Sequence, residues 1–287
     1  MRKITIKLPH FFQPTLTVES LDPKESPRLV ELLRGCAIVV SDIDYTIIDI
    51  SKGHLAGIEA IAVVTNAQVA KRVDQIFSLI IEGHRRTATA SWDQRSEFEE
   101  ITTRMRHVQK TIVPSWGLKY WSKETMLLLA AEDVGFELNA SSLSQARDAY
   151  WLTRTKNSTV YSYIPAFCQT LSDLGIVLDL FTSSYHIMQI APDLSLSYEP
   201  EKSKQYKAKA ILPYLPKMTK SICIGDPIDK PDAAFFQEVI KQIKSDLQLK
   251  SRQTFDFATV CVIGDSARND LEFLGNLGCQ TVLVTHR

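Results

Sequence analysis

The sequence lacks the features that mark several specialised classes of protein. Its five cysteines are odd in number and include no C-x-x-C pair, which argues against a zinc site or a disulfide framework. No apolar run approaches the ~20 residues that span a membrane, and the first residues contain no apolar signal segment. Lysine plus arginine and aspartate plus glutamate are equal at 33 each, so no excess charge favours a nucleic acid or a membrane as partner. We therefore expect a reduced, cytoplasmic protein with neither partner.

The composition that is present suits a globular protein with a substantial core. The chain has 287 residues, of which 45% are hydrophobic and 23% charged. From residue 158 onward, predicted helices alternate with apolar, β-branched strands, which indicates a parallel sheet covered by helices on both faces. The predicted helices are 165–175, 207–215, 231–244 and 267–278, and the predicted strands are 176–182, 221–225, 259–265 and 280–285.

The residues between about 53 and 157 have a different pattern, with no convincing strand. Val69, Val73, Ile76 and Ile80 recur at helical spacing, and residues 91–94 resemble a capping box that opens another helix. We therefore expect an α/β fold: a doubly wound, Rossmann-like parallel sheet with an inserted, mobile, all-helical cap domain. The expected boundaries are an N-terminal extension at 1–26, a catalytic core at 27–52 and 158–287, and the cap at 53–157.

The N-terminal part contributes a possible strand at residues 3–8, a polar link that contains proline, and a helix that begins at Pro27. A buried strand follows and ends at Asp42, and Asp44 comes two residues later. Residues two apart on an extended segment point the same way, so both carboxylates can face one crevice. Two carboxylates at that spacing repel each other unless a cation lies between them or one is protonated.

Other polar side chains follow the later strands. Thr182 and Ser183 come at the end of one, and Asp265 and Asp270 come at the end of another. In open parallel sheets the carboxyl ends of the strands meet at one crevice, where ligands bind. Several carboxylates at that crevice indicate a hard cation with oxygen ligands, which predicts magnesium.

Four motifs in this order resemble those of the haloacid dehalogenase-like superfamily, over roughly residues 36–50 and 160–287. DIDYT matches its D-x-D-x-T signature, and GDSARND matches its G-D-S-x-x-N-D motif. LFTSS carries the expected threonine or serine at the end of a strand, and DKPDAAFF resembles the lysine-proline motif before a helix. The resemblance implies a phosphatase-type enzyme with a helical cap.

The resemblance also assigns roles to individual residues. It implies that Asp42 is the nucleophile that forms an aspartyl-phosphate and that Asp44 is the general acid and base. Thr182, with Ser183 as the fallback, holds a phosphoryl oxygen, and Lys230 neutralises charge. Magnesium lies on Asp42, the backbone carbonyl of Asp44, and Asp265, while Asp270 acts through water or on the lysine. The implied activity is hydrolysis of a small phosphorylated metabolite.

Asp44 separates two chemistries within the superfamily, because members that dehalogenate lack an acid at this position. Tyr45 departs from the pattern, since many relatives carry glycine there. Two other functions stay open. One is a phosphotransferase or mutase that uses the same intermediate, and the other is a binding or regulatory protein that keeps the fold without useful turnover.

Several of these residues have structural alternatives. Thr182 could cap a following helix, since capping and phosphate binding use the same geometry. Lys204, Lys207 and Lys209 compete with Lys230, but their spacing indicates a solvated helical face. Within the cap, cations at helix ends are typical of dipole compensation, tryptophans are typical of a core, and His54 lies near the hinge. These cap residues are His84, Arg85, Arg86, Arg104, Arg106, His107, Trp92, Trp116, Trp121 and Trp151.

Overall fold

The computed structural model describes residues 12–85, 92–109, 117–248 and 255–286. Six strands form one sheet in the order β1-β10-β9-β2-β5-β8, and every pairing in it is parallel. Two further pairs of strands form short antiparallel ladders, β3 with β4 and β6 with β7. The strands are β1 (Leu16–Val18), β2 (Ile38–Asp42), β3 (Ile48–Asp49), β4 (Thr159–Val160), β5 (Val177–Ser183), β6 (Met188–Ile190), β7 (Leu196–Tyr198), β8 (Thr219–Gly225), β9 (Val260–Gly264) and β10 (Gln280–Val284).

The sheet is covered by helices on both faces, as the alternating pattern predicts. Along β2 all residues are buried, and their side chains alternate between the two faces. Val39 packs with α1 and α7 on one face, whereas Ile38 and Val40 pack with α9 and α10 on the other. The helices of the core are α1 (Pro27–Leu33), α7 (Ile164–Asp173), α8 (Pro200–Ile211), α9 (Ala233–Asp246) and α10 (Glu272–Asn276). The doubly wound α/β fold is therefore confirmed.

The segment inserted after β3 is helical wherever the structure describes it. Val69, Val73, Ile76 and Ile80, the residues whose spacing predicts a helix, are buried in a cluster separate from the two clusters on the sheet. No described residue between 51 and 157 belongs to a strand, so the all-helical insertion is confirmed. Its helices are α2 (Ser51–Val64), α3 (Ala67–Arg85), α4 (Arg95–Gln109), α5 (Lys123–Val134) and α6 (Ala140–Asn157).

The chain enters and leaves this helical segment at one place. Ile48 of β3 pairs antiparallel with Val160 of β4, so the two crossings form a common two-stranded ladder. The mobility of the segment, and the exact boundaries at 53 and 157, stay predictions.

Some local predictions need correction. The prediction of a polar link is wrong at Leu16–Val18, because this stretch pairs with β10 as an edge strand of the sheet. The β6–β7 hairpin was missed, since each of its strands has only three residues and shows little periodicity. The predicted strand at 3–8, Ser91 of the capping box and Trp116 lie outside the described residues. Across the described ranges, none of the helices is long and apolar enough to cross a bilayer.

Candidate active site

A cavity of about 610 Å³ lies where β2, β5, β8 and β9 end, between the sheet and the helical segment. This is the position that the parallel topology predicts for a ligand site. Every residue predicted for catalysis, phosphate binding or metal binding lines it: Asp42, Asp44, Thr182, Ser183, Lys230, Asp265 and Asp270.

The floor of the cavity is an acidic cluster around one lysine. Lys230 donates from Nζ to Asp42 Oδ1 at 2.6 Å and to Asp270 Oδ1 at 2.7 Å. Carboxylate oxygens of Asp42, Asp265 and Asp270 all lie within 4.8 Å of one another. Asp42 and Asp270 are almost fully buried. We call these four residues the acidic cluster.

The charges of the acidic cluster do not balance. Burial raises the pKa of Asp42 well above its usual range; Lys230 opposes that rise, while Asp270 and Asp265 add to it. Three carboxylates thus face one ammonium group in a largely buried site. Because all three acids offer oxygen donors at close range, the set suits a hard divalent cation such as magnesium.

The GDSARND motif builds one side of this cluster through local hydrogen bonds. Asp270 Oδ2 accepts from the Ser266 N–H at 2.9 Å, and Ser266 Oγ accepts from the Asn269 N–H at 3.3 Å. A side chain at Gly264 would place its Cβ 2.4 Å from the Cβ of Asp270. The glycine therefore allows Asp270 to fold back against the end of β9 and reach Lys230.

Thr182 and Ser183 end β5 beside the cluster. The next element is the strand β6, so Thr182 has no following helix to cap, and that alternative is wrong. Ser183 donates to Asp229 Oδ1 at 3.0 Å, and Asp229 Oδ2 lies 3.1 Å from His186 Nε2. Because His186 Nδ1 accepts from the Trp121 N–H at 3.1 Å, its proton lies on Nε2 and points to Asp229.

Asp44 lies apart from the acidic cluster, between two cations. Its Oδ2 accepts from Lys207 Nζ at 2.6 Å and from Arg154 Nη2 at 3.3 Å. Burial alone would raise the pKa of Asp44, but Lys207 and Arg154 outweigh it and lower that pKa to about 2. We call Lys207 and Arg154 the cationic clamp.

The cationic clamp was missed by sequence reasoning. Lys207 was expected on a solvated face of α8, yet it is fully buried, whereas Lys209 of the same helix is exposed. Arg154 comes from α6 of the helical segment and is 4% exposed. Neither residue belongs to a motif. No sequence signal marked them, because the inward face of α8, which Lys207 shares with the buried Ser203 four positions earlier, is visible only in the structure.

Tyr45 sits in a strained turn between Asp44 and β3. Its φ is 60°, in the left-handed region that glycine adopts without steric cost. Its N–H donates to the Ile48 carbonyl at 2.8 Å, which closes the turn. The glycine of many relatives at this position thus has a backbone explanation, and the tyrosine adds a ring to the cavity wall.

The helical segment lines the cavity with aromatic rings and with Lys119 and Arg154. His84, Trp121 and Trp151 line the cavity, while Trp92 packs on Phe98. Trp151 stacks on Tyr185 with ring centroids 3.8 Å apart and planes 14° apart. The other predicted cap residues with described side chains lie elsewhere: Arg104, Arg106 and His107 on α4, and His54, which contacts Asp74 and Tyr150.

Arg104 has a structural role within the helical segment. It forms ion pairs with Glu132 at 2.9 Å and Asp133 at 2.7 Å on α5, so it joins two helices of the segment. The side chain of Arg85, and all of Arg86, lie outside what the structure describes.

Several buried polar contacts join the helical segment to the core. Lys119 Nζ lies 3.4 Å from Asp226 Oδ1, and Glu124 Oε1 accepts from the Met188 N–H at 2.9 Å. Together with the contact of Arg154 to Asp44, they hold the segment against the open end of the sheet. In this structure the helical segment thus covers the site, and we call this position of the segment the closed arrangement.

The sequence and the fold are similar to those of known proteins. Residues 227–286, which include Lys230, Asp265 and Asp270, match the family model described as HAD-hydrolase-like. A dehalogenase solved with an intermediate complex has 14% identity and a TM-score of 0.50, over 88% of this chain and 85% of that chain. The resemblance to haloacid dehalogenase-like proteins, recognised first on four motifs, is confirmed by this family match over residues 227–286 and by the shared fold.

Two other solved structures are similar over comparable lengths. The proposed HAD-hydrolase YfnB from Bacillus subtilis, bound to magnesium, has 13% identity and a TM-score of 0.48, over 86% of this chain and 87% of that chain. A HAD phosphatase from Thermococcus onnurineus has 16% identity and a TM-score of 0.39, over 86% of both chains. No curated protein matches the sequence.

Proposed function

We propose that this haloacid dehalogenase-like protein is a magnesium-dependent phosphohydrolase that cleaves a phosphate monoester through an aspartyl-phosphate. The observation that carries the proposal is the presence of Asp44 in the same cavity as the acidic cluster. Dehalogenation needs no acid at this position, whereas an ester oxygen that leaves phosphorus needs a proton.

The first step uses Asp42. One of its carboxylate oxygens attacks phosphorus, the bond from phosphorus to the ester oxygen breaks, and an aspartyl-phosphate forms. Lys230, which already contacts Asp42, offsets the negative charge that the phosphoryl group brings. Thr182 lies at the adjoining strand end and supplies a hydroxyl donor to a phosphoryl oxygen, with Ser183, whose hydroxyl here donates to Asp229, as the fallback.

The proton transfers belong to Asp44. It gives a proton to the leaving oxygen, then takes one from the water that attacks phosphorus and releases phosphate. In the closed arrangement the cationic clamp holds Asp44 as a carboxylate. Asp44 must therefore leave at least part of the clamp before it can carry a proton.

Asp42, Asp265 and Asp270, with the backbone carbonyl of Asp44, would hold the magnesium ion. When bound, the ion supplies positive charge that stabilises the ionised form of Asp42 and the charge on a phosphoryl group. This proposal includes a reduced, cytoplasmic location, which the five free cysteines suit.

The experiment is turnover of an aryl phosphate, followed by release of inorganic phosphate, with and without magnesium. A 2-haloacid, followed by halide release, is the matched test of the rival chemistry. Phosphate release that depends on magnesium, without halide release, supports the proposal. Halide release alone would contradict it, and transfer of the phosphoryl group to an added alcohol without hydrolysis would identify a phosphotransferase.

A further inference from the structure

The cationic clamp carries an inference about the substrate that goes beyond the proposed function and rests on it. Arg154 and Lys207 are 4% and 0% exposed, and both donate to a single atom, Asp44 Oδ2. Among the described residues, no other carboxylate lies within ion-pair distance of either cation. The leaving-group end of the cavity thus holds two buried cations and one carboxylate.

A buried cation without a matching anion is costly, because water no longer solvates it. Arg154 also donates to the hydroxyl of Tyr185, at 2.7 Å. Lys207 also faces the Tyr185 ring, with Nζ 4.4 Å from the centroid. These contacts hold the cations in place without adding a negative charge.

The imbalance grows during the proposed reaction. Asp44 has to bring its carboxyl group to the ester oxygen, which takes it away from the two side chains that it now pairs. Both cations would then lie in a closed cavity with no carboxylate beside them. A group supplied by the substrate can remove that imbalance.

We propose that the leaving group of the substrate carries a second anionic group, which binds Arg154 first and displaces Asp44 from the cationic clamp. Arg154 lines the cavity, while Lys207 lies behind Asp44 and becomes available once Asp44 moves. The shared chemistry is an anion a few bonds from the ester oxygen, either a carboxylate or a second phosphate. Binding of the correct substrate thereby frees the acid that cleaves it.

The cationic clamp and the acidic cluster are separate, which supports a substrate with an anionic group at each end. Lys230 serves the phosphoryl end and is occupied by Asp42 and Asp270. The cationic clamp comes from different elements, α6 and α8, and contacts neither of those carboxylates. One molecule with two anionic ends matches both cation sets at once.

The test uses a series of three-carbon phosphate esters that differ only at the far end. These are 3-phosphooxypropanamide, 3-phosphooxypropanoate and 1,3-propanediol bisphosphate. We expect kcat/KM for the carboxylate or the bisphosphate to exceed that for the neutral amide by roughly ten- to a hundredfold, the range of charge-assisted hydrogen bonds. Which of the two anions is preferred identifies the second group.

Substitutions on α8 test whether the cationic clamp causes the preference for anionic substrates over the amide. Lys207→Met keeps the length of the side chain and removes its charge, so the anion-to-amide ratio should fall by at least about fivefold. Lys209→Met, an exposed position on the same helix, is the matched control and should leave the ratio as in the wild type. If Lys207→Met does not fold, Arg154→Gln tests the same ratio from the other side of the clamp.

Binding of phosphonates, whose C–P bond is not hydrolysed, separates this inference from the proposed function. Calorimetry on the wild type with magnesium compares 4-phosphonobutanoate with 4-phosphonobutanamide. Tighter binding of the carboxylate, lost in Lys207→Met, supports the inference even if no ester turns over, in which case the proposed hydrolysis is wrong. Turnover of all three esters with equal kcat/KM, and equal binding of both phosphonates, would overturn the inference and leave the hydrolysis standing.

Discussion

The two ends of the cavity have opposite charge. At the phosphoryl end, the carboxylates of Asp42, Asp265 and Asp270 lie around the single ammonium of Lys230. At the leaving-group end, the two cations of the clamp share one oxygen of Asp44. The first end lacks positive charge and suits a metal ion, whereas the second lacks negative charge and suits an anion.

The difference explains how two neighbouring aspartates acquire separate roles. Asp42 and Asp44 come from the same strand end, but Asp42 faces other acids while Asp44 faces cations. Burial and repulsion raise the pKa of one, and the clamp lowers the pKa of the other. The surroundings that helices α6 and α8 bring therefore set the chemistry, beyond the D-x-D spacing itself.

Removing the nucleophile tests the phosphoryl end and should have the largest effect. Asp42→Asn keeps the shape of the side chain but cannot form an aspartyl-phosphate, so turnover should fall by several powers of ten. Steady-state phosphate release measures it. Asp173→Asn, at an exposed position, is the control for the substitution itself. Retention of more than a few per cent of activity would show that Asp42 is not the nucleophile.

Removal of the metal tests the charge deficit of the acidic cluster. Treatment with EDTA should abolish phosphate release and added magnesium should restore it, because the three carboxylates leave Asp42 in an unfavourable field. Calcium should restore little, since it is larger and accepts less strict geometry. Full activity after exhaustive chelation would mean that Lys230 alone suffices at this end.

Asp44→Asn tests proton transfer at the leaving-group end of the cavity. For an alkyl phosphate the leaving oxygen needs a proton, so kcat/KM, which reports formation of the aspartyl-phosphate, should fall by about 10²–10⁴-fold. For an aryl phosphate the leaving group is stable as an anion, so kcat/KM should fall at most about tenfold, although kcat also falls because Asp44 no longer activates the water. Measuring both substrates on one preparation supplies the control. Equal losses of kcat/KM on the two esters would contradict proton donation by Asp44 to the leaving oxygen.

Asp179, which lies outside the cavity, is a buried carboxylate that can be compared with Asp44. Its replacement should change stability rather than activity, and by a small amount. It lies fully buried on β5, and neither of its carboxylate oxygens has a hydrogen-bond partner among the described residues. Burial, with a contribution from Asp246, raises the pKa of Asp179 to about 7. This is an acid without the cation that Asp44 has.

The sign of the effect follows from that raised pKa. An acid whose pKa is raised on folding holds its proton longer in the folded state, so it lowers stability as the pH rises from about 4 through about 7. Asp179→Asn should therefore stabilise the protein at pH 8, by roughly 1–3 kcal/mol, and by less at pH 5. Thermal unfolding at both pH values measures it, with Asp173→Asn as the control. Destabilisation at pH 8 would contradict the assignment of a strained carboxylate.

The phosphoryl end could be predicted from the sequence because its residues follow strands and lie within short motifs. A parallel sheet brings all such strand ends together, so Asp42, Thr182 and Asp265 needed no further information to be placed in one crevice. Lys230 was identified by its lysine-proline motif before α9. The alternation of apolar strands and helices predicted the doubly wound fold.

The leaving-group end could not be predicted in this way. Lys207 and Arg154 meet Asp44 across 163 and 110 positions of sequence, on helices whose inward faces depend on packing. A lysine at helical spacing is indistinguishable from a solvated one until the neighbouring helix is in place. The strand Leu16–Val18 was missed for a related reason, since its pairing with β10 comes from the far end of the chain.

Trapping the phosphorylated form of Asp42 is the direct test of the proposed mechanism. Acid quenching during turnover of an aryl phosphate with magnesium, followed by borohydride reduction, converts an aspartyl-phosphate to homoserine, which mass spectrometry locates in the peptide that contains Asp42. We predict homoserine at position 42, absent when substrate or magnesium is omitted. Sustained phosphate release with position 42 unmodified, or with the modification on another carboxylate, would contradict the account.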